Sequence, residues 1–227
     1  MNTEDYAYAI CDDYGQIVFA ITHSGEVKYL GTGTGGASVT TTFDYTKCGL
    51  PILSLNGDTT DMTKDNAVTL NYSLNTAKGT QIAAGTCTCK WQGSSSVRRG
   101  YPKRNYTIKF DTAFEATEAI GNQSERTVKT EPWGAQKKYC MKANWIDPSA
   151  ARNVVCARLW GNIVASRDNI PEKLATAPNY GAIDGFPIII AINGKFTGLY
   201  TFNIPKDGWM FNMGDGEAEY VVCGESN

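Results

Sequence analysis

A chain of 227 residues, 42% hydrophobic and 19% charged, has an ordinary globular composition and is long enough for one good-sized domain or a domain plus a small appendage. Its 21 Lys and Arg against 23 Asp and Glu leave a formal charge of −2, which argues against a nucleic-acid partner. No apolar run is long enough to cross a bilayer, and the opening Met-Asn-Thr-Glu-Asp-Tyr lacks the basic and apolar regions of a signal peptide, so neither a membrane partner nor secretion by that route is expected.

Residues 1–30 read as a small β-meander. Tyr6, Tyr8 and Ile10 alternate, Asp12-Asp13-Tyr14-Gly15 turns, Ile17, Phe19 and Ile21 alternate again, and Val27 and Tyr29 follow a Ser24-Gly25 turn. Such a unit has one apolar face that it cannot bury alone. It must pack on the following domain, on another protein, or on a copy of itself, which makes residues 1–30 a candidate surface for self-association. Residues 31–47 are a Gly/Thr-rich linker. Gly31, Gly33 and Gly36 form a G-x-G-x-x-G, but β-formers follow them where a dinucleotide site needs a helix.

From residue 48 to 227 the expected fold is α+β, a mainly antiparallel sheet with one main helix packed on it. Strands are expected at 51–55, 67–72, 86–91 and 105–110, the last two flanking a basic loop as a hairpin. Asp147-Pro148 predicts a helix start, with Asp as N-cap and Pro in the first turn. Ala151, Val154, Val155, the Arg158 stem, Leu159 and Ile163 then give it an apolar face up to about Ser166. The continuous apolar run 186–192 predicts a buried strand, Asn193-Gly194 a tight hairpin into 196–202, and 219–223 a last strand.

Little here supports nucleophile, base or metal chemistry. His23 is the only histidine and sits beside a predicted turn. Seven scattered cysteines read as small buried hydrophobes, and Asp58, Asp61 and Asp65 lack the alternation of a calcium loop, so no metal site is expected. The segment 90–109 stands out, with Lys90, Arg98, Arg99, Lys103, Arg104 and Lys109 and not one Asp or Glu. Its Gly93-Ser94-Ser95-Ser96 loop lets backbone N–H groups approach an anion while the cations supply charge, so a phosphate or an acidic partner is the expected ligand. A solvated basic hairpin is the alternative.

Four motifs in order carry a resemblance. They are Pro51-Ile-Leu-Ser-Leu, Gly93-Ser-Ser-Ser-Val-Arg-Arg-Gly-Tyr-Pro-Lys-Arg-Asn-Tyr-Thr-Ile-Lys-Phe, Lys142-Ala-Asn-Trp-Ile-Asp-Pro-Ser-Ala-Ala-Arg-Asn and Ile190-Ala-Ile-Asn-Gly-Lys-Phe-Thr-Gly-Leu-Tyr. Over about 48–223 the chain resembles the CotH (spore coat protein H) family of atypical kinases. The resemblance implies the first lobe of a kinase-like fold, ATP and Mg²⁺ as cofactors, and protein side chains as phosphoacceptors. It places Ser95, Arg98, Arg99, Lys103 or Lys109, and Arg152 around the nucleotide, and gives the helix after Pro148 the task of orienting the phosphate lysine. For Lys142, Asn144, Arg152 and Asn153 the alternative is a polar network fixing that helix to the sheet. The paired carboxylates of the family's second lobe do not follow the Asn193-Gly194 hairpin, so catalytic residues are not assigned. The expectation is either a fragment of an active kinase or a fold reused as a binding and interaction module. Residues 1–30 also look like the leader of tail and fibre proteins of phages of gut bacteria, which implies a structural protein of a virion or a location in the bacterial cytoplasm.

Overall fold

Apolar alternation along seven strands has a consequence larger than a sheet: the strands close on themselves. The computed structural model describes residues 6–11, 17–22, 26–29, 41–42, 44–121, 129 and 132–214. His23 and the strand expected at 219–223 lie outside the described residues. A four-stranded sheet, in the order β1 (Tyr6–Cys11), β2 (Ile17–Thr22), β3 (Glu26–Tyr29) and β4 (Thr41–Thr42), precedes the barrel. The meander thus takes a fourth strand from the end of the Gly/Thr-rich stretch, with Val27 opposite Thr41.

The barrel consists of β5 (Ile52–Asn56), β6 (Val68–Asn75), β7 (Gln81–Gln92), β8 (Asn105–Phe114), β9 (Gln136–Lys142), β10 (Gly185–Ile192) and β11 (Lys195–Asn203). Its closed order is β10-β11-β9-β8-β7-β6-β5. Every neighbouring pair is antiparallel except β10 and β5, which run parallel with Ile189 opposite Ile52. This overturns the expected α+β arrangement of a helix packed on an antiparallel sheet, and with it the kinase-like first lobe. The physical reason lies in β10. Its continuous apolar run presents Ile188 and Ile190 to the barrel interior while Ile189 faces the other way, and both of its edges find a partner.

The core is the barrel's inside. Leu53, Leu55, Leu70, Leu74, Ile108, Phe110, Tyr139, Met141, Phe186 and Phe202 are all buried there. Phe186 and Phe202, cross-strand partners, stack with centroids 5.1 Å apart. Ile189, on the outside, packs with Phe196 and with Ile21 of β2, so the four-stranded sheet leans on the barrel wall. Asn193 and Gly194 both adopt left-handed backbone (φ 52° and 74°), the requirement of the two-residue hairpin between β10 and β11.

Among the described residues three α-helices lie outside the barrel: α1 (Ser95–Arg98), α2 (Arg152–Ala165) and α3 (Glu172–Thr176). The start of α2 differs from the Asp147-Pro148 expectation. Ala150 takes φ 52°, which no helix continues through, and the helix opens at Arg152, four positions after Pro148. Asp147 still caps it at a distance, its Oδ2 accepting from the Arg152 N–H at 2.9 Å. The expected apolar face is also corrected. Val154, Gly161 and Val164 are buried, whereas Val155, Leu159 and Ile163 are exposed. The buried side is chosen by a polar anchor: Arg158 donates from Nη2 to Gly185 O at 2.8 Å and pairs with the fully buried Asp184.

Candidate functional site

Outside the barrel, strands β7, β8 and β9 carry polar residues in cross-strand rows. Lys90 faces Thr107, which faces Cys140, and Lys109 faces Lys138. Side-chain alternation fixes this wall, because Tyr106, Ile108 and Phe110 fill the interior and leave Asn105, Thr107 and Lys109 on the other face, as the sequence predicts. Two clefts open on it. One, of about 600 Å³, is lined by Lys90, Lys138, Lys142 and Lys206 together with Asn153 and Asn203. The other, of about 470 Å³, is lined by Arg99, Tyr101, Lys103, Asn144, Trp145 and, again, Lys142 and Asn153. Among the described residues, no Asp or Glu lines either cleft.

Lys142 joins the two. Its Nζ donates to Gln92 Oε1 at 2.5 Å, and Gln92 Nε2 in turn donates to the Cys140 thiol at 3.1 Å. Burial lowers its pKa, the Lys206 charge lowers it further, and Cys140 acts in the opposite direction. An anion in the cleft would oppose both by stabilising the charged amine. Lys138 is tied to Asp207 Oδ2 at 3.3 Å. Lys90 and Lys206 are exposed at the rim.

The residues singled out in the sequence go to different places. Lys103 lines the second cleft, but its amine is occupied: it donates to Leu199 O and, at 2.9 Å, to Ala143 O, and it lies 4.4 Å from the centroid of the Tyr200 ring. Burial pulls its pKa down to about 8. Gly198 makes room for the stem, since a Cβ there would lie 2.8 Å from Lys103 Cε. Arg99 reaches the second cleft and donates from Nη1 to Tyr101 Oη at 3.3 Å. Arg98 is exposed, and Ser95 opens the short α1. Lys109 sits at a separate shallow concavity beside Asp111 and Lys137. Arg152 turns away from both clefts to pair with Asp147 at 3.5 Å. The structure thus brings Arg99 and Lys103 together and leaves Lys109 and Arg152 apart from them.

The polar network considered for the Lys142–Asn153 stretch is present. Asn153 Nδ2 donates to Asn144 Oδ1 at 3.1 Å, Asn144 Nδ2 donates to Thr201 Oγ1 at 2.6 Å, and Ala143 N–H donates to Asn105 Oδ1 at 2.7 Å. It holds the N-terminus of α2 against β8 and β11. The lysines that sequence reasoning did not place in the site are Lys138, Lys142 and Lys206. The first two lie on β9, whose Lys138-Tyr139-Cys140-Met141-Lys142 pattern puts Tyr139 and Met141 inside; read as a strand, it would have put both lysines on the wall.

Fold and clefts together define a β-barrel protein with a cationic surface site. No protein-family model matches the sequence, and no curated protein matches it. For a nucleotide's phosphates the residues present fit, with lysines as donors. Among the described residues no Asp or Glu lines the clefts to offer Mg²⁺ a ligand, and no three His, Cys, Asp or Glu side chains converge.

Proposed function

We propose that this chain is a binding module for a phosphate-bearing anion of the nucleoside polyphosphate class, held in the paired clefts. One observation carries the reading: among the described residues, Lys90, Lys138, Lys142 and Lys206 line one cleft and no carboxylate does, and that cleft shares Lys142 and Asn153 with one bordered by Tyr101 and Trp145. Each amine near a phosphate contributes roughly 4 kcal/mol of gross attraction at 4 Å and an effective dielectric of about 20, most of it offset by desolvation. Several convergent lysines are therefore needed for useful affinity, and the first cleft supplies them. Tyr101, Trp145 and the Arg99 guanidinium give the second cleft flat surfaces on which a base can stack.

Among the described residues the carboxylates that phosphoryl transfer requires do not line the clefts, so the proposal is one of binding and assigns no catalytic residue.

Titration calorimetry tests it with ATP, inorganic tripolyphosphate and adenosine as separate ligands. ATP and tripolyphosphate are expected to bind and adenosine to bind at least tenfold more weakly than ATP. Lys90→Gln with Lys206→Gln, both exposed and free of structural tasks, is expected to weaken both anions about tenfold or more. Trp145→Ala is expected to weaken ATP and leave tripolyphosphate unchanged. No binding at millimolar anion, or binding indifferent to the double variant, would remove the reading.

A further inference from the structure

The outer face of α2 is apolar by construction. Val155, Leu159 and Ile163 recur at i, i+4 and i+8 and are 58%, 58% and 44% exposed, and Trp160, one position on from Leu159, is 53% exposed. Together they make an apolar patch on the order of 400 Å², a size at which monomer surfaces become interaction sites. The helix cannot roll to hide it. Arg158 is bonded to Gly185 O and paired with buried Asp184, and Gly161 approaches Asn179 so closely that a Cβ would lie 2.8 Å from its Oδ1.

The charges beside the stripe specify what covers it. Arg152 opens the helix ahead of the stripe, and Arg167 lies two positions beyond its last residue, Ala165. No Asp or Glu occurs within α2. The Arg152 side chain is 72% exposed while Asp147, its partner, is only 10% exposed, so the cation is what this end presents. Arg167 and Asp168 are both exposed just beyond the other end, with Arg167 the nearer to the stripe. A second copy fits poorly: an antiparallel α2 pair would set Arg152 against Arg167 of its mate. A parallel pair would set Arg152 against Arg152.

We infer that the outer face of α2 docks an amphipathic helix of a partner protein, about four turns long, with an apolar stripe at i, i+4 and i+8 and carboxylates at both ends. The apolar stripe supplies the buried area, and the Arg152 and Arg167 guanidiniums select an acidic partner and fix its register. Of α2 only Asn153 lines the lysine clefts, whereas Val155, Leu159, Trp160 and Ile163 line neither.

The test uses the full chain and two fluorescein-labelled 18-residue helical peptides with the same apolar stripe, one ending in Glu at both ends and the other in Lys. Fluorescence anisotropy is expected to show the Glu peptide binding at least tenfold more tightly than the Lys peptide. Leu159→Glu, an exposed position whose folding is checked by circular dichroism, is expected to abolish binding. Arg152→Glu with Arg167→Glu is expected to reverse the preference. Equal affinity for the two peptides, or no binding of either at 100-fold excess, overturns the inference. So does Leu159-dependent self-association in light scattering, or Leu159-dependent binding to anionic phosphatidylserine vesicles in place of the Glu peptide.

Discussion

Lys103 sits where a lysine is least comfortable, with its stem under Gly198, its ring neighbour Tyr200 fully buried and its amine held by two carbonyls. Its folded pKa of about 8 lies below the ordinary lysine value of about 10.4. Below pH 8 both folded and unfolded chains carry the proton and the whole cost of burying the charge is present. As pH rises from 8 toward 10.4 the folded chain sheds the proton first, and the cost is relieved. The stability of the native chain relative to Lys103→Met is therefore expected to increase by on the order of 2–3 kcal/mol between pH 7 and pH 10 in urea unfolding. Taking the difference cancels the opposite contribution of the buried thiols, such as Cys87, whose pKa burial pushes up to about 12. A flat difference would mean that the carbonyls hold the ammonium as well as water does. At Asp184 the ion pair itself is at stake. Its carboxylate accepts from Trp133 Nε1 at 3.0 Å and from Gly185 N–H at 2.8 Å, and Arg158 is its counter-charge. Arg158→Met is expected to destabilise the fold by roughly 3 kcal/mol, because the remaining charge stays buried. Thermal or urea unfolding measures it.

Between elements, contacts are made at a few tightly matched points. Gly161 in α2 would gain about 1 kcal/mol of helix propensity from a Cβ, but Asn179 leaves no space for one. Gly161→Ala is expected to lower stability by about 1–2 kcal/mol, and adding Asn179→Ala is expected to recover part of that loss; simple additivity of the two variants would show that the close approach is not the cause. The hairpin tip is bound just as specifically. Asn193 Oδ1 accepts from Gly57 N–H at 2.9 Å and its Nδ2 donates to Gly57 O at 3.0 Å, joining the β10–β11 turn to the end of β5. Asn193→Ala removes both bonds and puts alanine in left-handed backbone, an expected cost of about 2 kcal/mol by urea unfolding. Such points explain what was legible in the sequence. The Asn193-Gly194 turn, the strands beginning at Ile52 and Asn105 and the outward-facing Lys109 follow local rules of turn chemistry and alternation. The face of α2 does not, because the pairing of Arg158 with Asp184 depends on strand β10 far along the chain. The paired clefts were half legible. Lys90 of the first and Arg99 and Lys103 of the second fell within the basic segment, while Lys138 and Lys142 lay on a strand whose alternation was not recognised, and Lys206 was brought to those two only by the closed barrel.

At the scale of the molecule the decisive contact is the parallel seam. Ile52 and Ile189 face each other although 137 positions apart, and Ile189 N–H donates to Pro51 O at 2.9 Å. Closing so long a loop comes before most of the interior can pack, which places folding on the slow, millisecond-to-second side. Ile190→Ala, at a fully buried seam position, is expected to cost about 3 kcal/mol and to shift far-ultraviolet dichroism and tryptophan fluorescence transitions together, since the seam opens only with the barrel. Transitions that separate would show a barrel able to open at its seam alone. The same closure has a bearing on how the protein behaves in storage. A ladder joined end to end offers no unpaired strand on which another chain can grow, whereas the four-stranded sheet ends in β1 and β4, and β4 is only two residues long. Fibril seeding should therefore begin at β1, and a proline placed there, not a stiffer barrel, is the change that would lengthen the protein's life in concentrated solution.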